Sequence, residues 1–271
     1  MYEAVTKTGR RRFVAASTMA ALAACMLPAA GAADLMSQTR ARGALRIAVE
    51  GTYPPFNFKD PKTGQLTGYD IEVARLVAAR LKLKPHFVLT EWSAILPAVT
   101  SGKVDAAISQ VIITPEREQA YDFSVPYTYS GFQLMVRKNE RASYRSLADL
   151  KGRRLGVRQG SVFEERAHEV PGIEVKSYPA VPENLQDLAF GRIDASLDDS
   201  LMVNYLLRNS ELPIKAGPRV GKVARIGVAL RKNEPQLKAA VDQALNEARA
   251  DGTLRRLSLK WFGIDASSAT R

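Results

Sequence analysis

The sequence predicts an α/β protein built from two lobes on one plan. Three observations predict it. Strand-like and helix-like segments alternate along most of the chain. One helix-to-strand pattern occurs twice, at 95–109 and 185–199. No apolar stretch after the first thirty-odd residues is long enough to cross a bilayer, which needs about 20 residues.

The first copy runs from Ile95 to Ser109: a short amphipathic helix, Gly102 and a cation, then a buried strand opened by Val104-Asp105-Ala106. The second runs from Leu185 to Asp199, with Gly191, Arg192 and Ile193-Asp194-Ala195 in the matching places. Two similar lobes suggest a ligand cleft between them. Gly-cation-apolar-Asp is also a common helix-to-strand join, so coincidence is the competing reading.

The elements follow in order. Leu45–Glu50 is a strand. Asp70–Leu81 carries Ile71, Ala74, Val77, Ala78 and Leu81 at helical spacing. Phe87–Thr90 is a strand, Ser93–Ser101 a helix stopped by Gly102, and Val104–Ser109 a strand. Thr114 caps a helix with Pro115 at its first position. Phe132–Val136 is a strand. The second series is strand Arg154–Val157, helix Ser161–His168, strand Ile173–Tyr178, helix Glu183–Phe190, strand Ile193–Leu197 and helix Leu201–Leu207. Strand Arg225–Leu230 and helices Gln236–Ala250 and Thr253–Lys260 close the chain. Such alternation implies mostly parallel sheets covered on both faces.

The N-terminus lies outside this fold. Arg10, Arg11 and Arg12 precede an apolar run from Phe13 to Leu27, then small residues to Ala33. That order is a secretory signal over residues 1–32, cleaved after Ala32 or Ala33. The arginines also resemble a twin-arginine export signal, with an ordinary Sec signal as the alternative. Leu22-Ala23-Ala24-Cys25 resembles a lipobox, but the apolar Met26-Leu27-Pro28-Ala29 replaces the usual polar tether. A soluble mature chain without cysteine is therefore preferred to a lipoprotein anchored through Cys25.

The mature chain of about 240 residues allows one large or two medium domains. The formal charge is +11; losing residues 1–32 removes four cations and one acid and leaves about +8. These cations are scattered among acids without an aromatic-basic motif. That pattern and export exclude nucleic acid as the partner. The two histidines, His86 and His168, read as surface or packing residues. No metal-ligand spacing, G-x-S-x-G, phosphate loop or dinucleotide fingerprint occurs, which points to a binder with no catalytic residues, metal or cofactor.

The informative stretch is Ser109 to Ser124. It passes from strand to helix at a strand's carboxyl end, where open α/β sheets place ligands. Arg117 falls in the first turn of that helix and suits bidentate grip of a carboxylate. On local chemistry alone, a surface ion pair is equally open.

Several motifs together carry a family resemblance. They are Glu50-Gly51-Thr52-Tyr53-Pro54-Pro55-Phe56, Leu66-Thr67-Gly68-Tyr69-Asp70-Ile71-Glu72, Ile113-Thr114-Pro115-Glu116-Arg117, Tyr121-Asp122-Phe123-Ser124, Leu147-Ala148-Asp149-Leu150-Lys151-Gly152 and Lys260-Trp261-Phe262-Gly263. Over Leu45 to Gly263 the chain resembles the periplasmic amino-acid-binding proteins of polar amino-acid ABC importers, solute-binding protein family 3. Glu50 to Phe56, Gln110-Val111 and Tyr127-Thr128 with Ser130-Gly131 are most similar to cystine binders.

The resemblance implies a type II periplasmic binding fold: two α/β lobes, a ligand cleft and two crossing hinge strands. Lobe 1 would be 43–128 plus 227–265 and lobe 2 132–224. The crossings would lie near Tyr127–Gly131 and Arg225–Gly227, with Gly131 and Gly227 suited to hinge torsions. It further implies a periplasmic monomer that captures an amino acid by closure and delivers it to a membrane permease.

Roles carried over from the resemblance are these. Arg117 binds the α-carboxylate, joined on closure by N–H groups of the Ser161-Val162 turn. Asp199 takes the α-ammonium, unless it only caps the following helix. Tyr53 and Trp92 pack on the ligand side chain. Glu50 and Asp198 meet its polar groups or solvent, and Arg158 steers or contacts anions. Gln110 belongs to the cystine-like pair. Ile112 departs from the family's Thr or Ser and lacks the hydroxyl that helps hold the carboxylate, so Ser109 or backbone N–H groups would substitute. The missing bond is worth about 1.5–3 kcal/mol. The alternatives are an exported cyclohexadienyl dehydratase-like enzyme on the same fold, a lysine-, arginine- or glutamine-type binder, and a chemoreceptor adaptor.

Overall fold

A computed structural model describes residues 34–269. The expected export signal, with Cys25, lies outside the described residues. In chain order the elements are α1 (Leu35–Arg42), β1 (Ala44–Val49), β2 (Thr52–Tyr53), β3 (Asn57–Lys59), β4 (Leu66–Thr67), α2 (Tyr69–Arg80), β5 (Lys84–Leu89), α3 (Trp92–Thr100), β6 (Ala106–Ala107), α4 (Pro115–Ala120), β7 (Tyr121–Phe123) and β8 (Thr128–Arg137). They continue as β9 (Arg154–Arg158), α5 (Val162–His168), β10 (Glu174–Tyr178), α6 (Val181–Ala189), β11 (Ala195–Asp199), α7 (Ser200–Asn209), β12 (Ile214–Ile226), β13 (Ala229–Arg231), α8 (Pro235–Ala250) and α9 (Thr253–Phe262).

The strands build two five-stranded sheets, ordered β5-β1-β6-β13-β7 and β10-β9-β11-β8-β12, and a small sheet β2-β3-β4. The large sheets are mixed rather than mostly parallel. In the first, β1 pairs in parallel with β5 and β6, while β13 is antiparallel to β6 and β7. In the second, β9 pairs in parallel with β10 and β11, while β8 is antiparallel to β11 and β12. The reversal arises where the chain passes between the sheets, because each passage feeds a strand in from the opposite end.

The sequence repeat has a structural counterpart. Asp105 Oδ2 accepts from Arg46 N at 2.7 Å and Asp194 Oδ2 accepts from Arg154 N at 2.9 Å. In both copies the same arginine's side chain also reaches the carboxylate, at 2.7 Å for Arg46 and 2.9 Å for Arg154. Each aspartate thus fixes the start of the neighbouring parallel strand, Ile47 against Ala106 and Leu155 against Ala195. This register sets the carboxyl ends of the strands, and hence the cleft loops, in equivalent positions.

The apolar core is continuous through both large sheets. Leu45, Ile47 and Val49 of β1 are buried with Ile71, Val73 and Val77 of α2; Leu155, Val157, Leu134 and Leu197 do the same in the second sheet. Each such side chain contributes about 1.5–3 kcal/mol. Among the described residues no helix is long and apolar enough to cross a membrane.

The chain passes between the sheets at Tyr127–Thr128 and at Gly227–Val228. The passing segments pair with each other, Thr128 with Ile226 and Ser130 with Ala224. The strand expected over Arg225–Leu230 is therefore two, β12 and β13, because its halves join different sheets. Gly131 and Gly227 are absent from the positive-φ glycines, so neither uses a torsion reserved for glycine. At Gly227 the constraint is space: a Cβ there would stand 2.9 Å from Ile113 Cδ1 and 3.2 Å from the Ser124 carbonyl.

Candidate ligand-binding site

The cleft loops leave β1, β6, β9 and β11 at their carboxyl ends. Thr114 accepts from Arg117 N at 3.2 Å and Pro115 opens α4, so Arg117 is held in the first turn. Its guanidinium is buried and donates to the Ile112 carbonyl at 3.1 Å. Burial lowers its pKa from the usual arginine value. It forms no ion pair with a described carboxylate, and it lies 5.7 Å from the Trp92 ring centroid.

Opposite, Asp199 ends β11 and caps α7. Its Oδ1 accepts from Leu201 N at 2.7 Å and from the Ser130 hydroxyl at 2.6 Å. Burial pushes its pKa up to about 7, against those hydrogen bonds and with help from Asp198. Burial also raises Asp198, with Arg158 opposing. Asp198 Oδ1 accepts from the Tyr53 hydroxyl at 2.6 Å, and burial then Asp198 hold that phenol well above its ordinary pKa.

Arg158 is as enclosed as these side chains, 2% exposed. Its Cζ lies 4.1 Å from the Tyr53 ring centroid and 4.2 Å from that of Trp92. Nη1 donates to Glu50 Oε2 at 2.7 Å. Burial works against its charge, yet Glu50, Tyr53 and Asp198 leave it more firmly protonated than usual. Trp92 Nε1 donates to Gly160 O at 3.1 Å.

Tyr53, Trp92, Gln110, Ile112, Arg117, Arg158, Ser161, Val162 and Asp199 line one cavity together with Phe163. Its volume is about 10 Å³, on the order of a single water. An amino acid enters only when the walls part. Glu50 and Asp198 adjoin it through Arg158 and Tyr53.

Ser109 is placed differently. Its hydroxyl accepts from Asn57 Nδ2 at 3.2 Å and it does not line the cavity. Ser161 caps α5, its hydroxyl engaged with Arg158 O and Glu164 N, while Gly160 N donates to Glu164 Oε2 at 2.6 Å. The N–H at Gly160 is thus already committed. Among the described residues no group of three His, Cys, Asp or Glu side chains could hold a metal.

Sequence reasoning missed a buried support beneath the site. Asp70 accepts from Gln110 Nε2 at 2.8 Å, Tyr127 hydroxyl at 2.9 Å and Asn57 Nδ2 at 3.0 Å. Asn57 Oδ1 in turn accepts from Glu50 N and Gly51 N. The network ties the Glu50 loop, α2, Gln110 and the first passage into one unit. Burial raises Asp70 to about 6. Asp70 stood inside a recognised motif; the signal was an acid on the otherwise apolar side of a helix.

A family model, bacterial extracellular solute-binding proteins, family 3, matches residues 45–264. This chain belongs to that family. The L-cystine-binding protein TcyJ of Escherichia coli is 36% identical over 260 residues, 96% of this chain and 97% of the relative. The crystal structure of the ancestral amino acid-binding protein AncCDT-1, a precursor of cyclohexadienyl dehydratase, is 34% identical with TM-score 0.79 over 84% of this chain and 99% of that one. An ancestral arginine-binding protein bound to arginine is 37% identical with TM-score 0.78 over 82% and 99%. As a family 3 solute-binding protein, the chain has the type II fold with two α/β lobes. All three of these similar proteins are described as binders, so the family places the chain among binding proteins.

Proposed function

We propose that this chain is the exported, monomeric periplasmic component of an amino-acid ABC importer, with cystine its favoured ligand. One observation carries the reading: an arginine with no ion pair to a described carboxylate, Arg117 on α4, and a buried aspartate at the end of β11 in the second sheet, Asp199, line a common cavity. That is the charge pattern of an α-amino acid, met half by half. The relative TcyJ, named for cystine, supports the ligand.

In this reading lobe 1 is 43–128 plus 227–265 and lobe 2 is 132–224. The open form takes the α-carboxylate on Arg117 between Tyr53 and Trp92. Asp199 then meets the α-ammonium as the lobes close, and the ligand favours closure by its difference in affinity for the two states. A permease recognises the closed form, and its ATP-hydrolysing partner supplies the energy.

The test is a thermal-shift screen of ligand-stripped mature protein against the common amino acids and cystine. At about 100 times its Kd a ligand adds about 2.7 kcal/mol, a rise of roughly 5–10 °C. Cystine gives the rise and Arg117→Ala abolishes it. A full response in that variant, or none from any amino acid in the wild type, overturns the assignment.

A further inference from the structure

The aromatic slot of this site already holds a cation. Tyr53 and Trp92 present their faces to the Arg158 guanidinium at 4.1 and 4.2 Å, and Glu50 supplies its counter-charge at 2.7 Å. Two ring faces and one carboxylate are what the side chain of a bound arginine or lysine would seek. Here a residue of the chain takes all three. A second cation in so enclosed a place would face Arg158 with little water to screen it.

Two buried atoms beside the slot have no partner. One is Arg158 Nε, a donor; the other is Asp198 Oδ2, an acceptor. Their residues are 2% and 1% exposed. A buried polar atom left unsatisfied is costly, so such atoms mark places where a ligand's groups belong. Arg117 and Asp199 account for one amino-acid head. Arg158 and Asp198 repeat the same pair of signs a second time, on neighbouring residues that both touch Tyr53.

We propose that Arg158 and Asp198 form a second head-group subsite, so that the cleft selects a double-headed amino acid, with an amino and a carboxylate group at each end, and turns away arginine and lysine. The proposal rests on the reading of the site as an amino-acid cleft and deepens it. Arg158 Nε donates to the distal carboxylate and Asp198 Oδ2 accepts from the distal ammonium. Arg158 is the specificity-determining residue: it bars single cations by filling their slot, and rewards a distal carboxylate. The linker between the heads need not be a disulfide.

Titration calorimetry on ligand-stripped protein tests this with cystine, cystathionine, S-methylcysteine, arginine and lysine. Cystine and cystathionine bind, and arginine and lysine bind at least a hundredfold more weakly. Arg158→Leu weakens cystine and cystathionine at least tenfold more than it weakens single-headed S-methylcysteine, beyond the shift common to all ligands from losing the Glu50 pair, and raises the affinity for arginine relative to cystine. The wild-type ranking needs no variant, so poor folding of Arg158→Leu leaves the test intact. Arginine binding the wild type as tightly as cystine overturns the proposal. So does an equal loss for single- and double-headed ligands in Arg158→Leu. If Arg117→Ala abolishes all binding in either case, only the second subsite falls. If Arg117→Ala binds everything as before, the amino-acid reading falls with it.

Discussion

Glu50 of the first lobe and Arg158 of the second meet at 2.7 Å, with side chains only 3% and 2% exposed. Removing one partner of a buried pair costs about 3–5 kcal/mol when the other charge stays buried. Here the survivor has an escape, because parting the lobes returns it to water. Glu50→Gln is therefore expected to open ligand-stripped protein rather than unfold it. Small-angle scattering would read a larger radius of gyration than wild type, with stability lowered by no more than about 1 kcal/mol. Equal radii would mean that this pair does not hold the lobes together.

On the proposed reading of the site, Asp199 makes binding depend on pH. Its pKa stands at about 7, raised first by burial, with Asp198 beside it and the Ser130 hydroxyl and Leu201 N–H opposing. A raised carboxyl binds its proton more tightly when folded, so its burial costs stability as pH rises from the ordinary 3.8 towards 7. A ligand ammonium needs the ionised form and reverses that cost. Affinity is expected to fall by up to tenfold per pH unit below about 7. Calorimetry near pH 6 in buffers of different protonation heat would record proton release on binding. Asp199→Asn would bind weakly, with a flat profile. Asp70 titrates in the same range but sits in the support beneath the cavity, so binding rather than melting is the readout.

Much of this was legible in the sequence wherever the cause is local. Ile71, Ala74, Val77 and Ala78 place α2 by spacing alone, and Thr114 with Pro115 places Arg117. Helix α1 was not legible. Its large apolar residues are confined to Leu35 and Met36 and its one alanine, Ala41, is exposed, so it has no stripe; it stands on the Asp34 cap, the left-handed Gly43 and Glu234 accepting from Leu35 N. β12 was read only at its end, because Gly217 and Pro218 interrupt the pattern and its order comes from the distant β8. The family resemblance names Glu50, Tyr53, Trp92 and Arg158 one by one. That Arg158 would lie between the two rings required both lobes in place, and no local pattern encodes a contact across them.

The repeated aspartates offer a test that separates folding from binding. Asp105 is fully buried; it takes the Arg46 N–H and pairs with Arg42 and Arg46. Asp105→Ala strands that N–H, while the guanidinium groups of Arg42 and Arg46, about a third exposed, recover water, and the change is expected to cost about 2–4 kcal/mol in urea unfolding. Asp194 plays the same part in the second sheet, but its side chain is 13% exposed and its contact with Arg137 is long, at 3.7 Å. Water recovers part of what is lost there, so Asp194→Ala should cost less, about 1.5–3 kcal/mol. Neither residue lines the cavity, and cystine affinity in both variants should stay within about twofold of wild type. A change in affinity without a change in stability would mean that these carboxylates act on the cleft rather than on the strands they anchor.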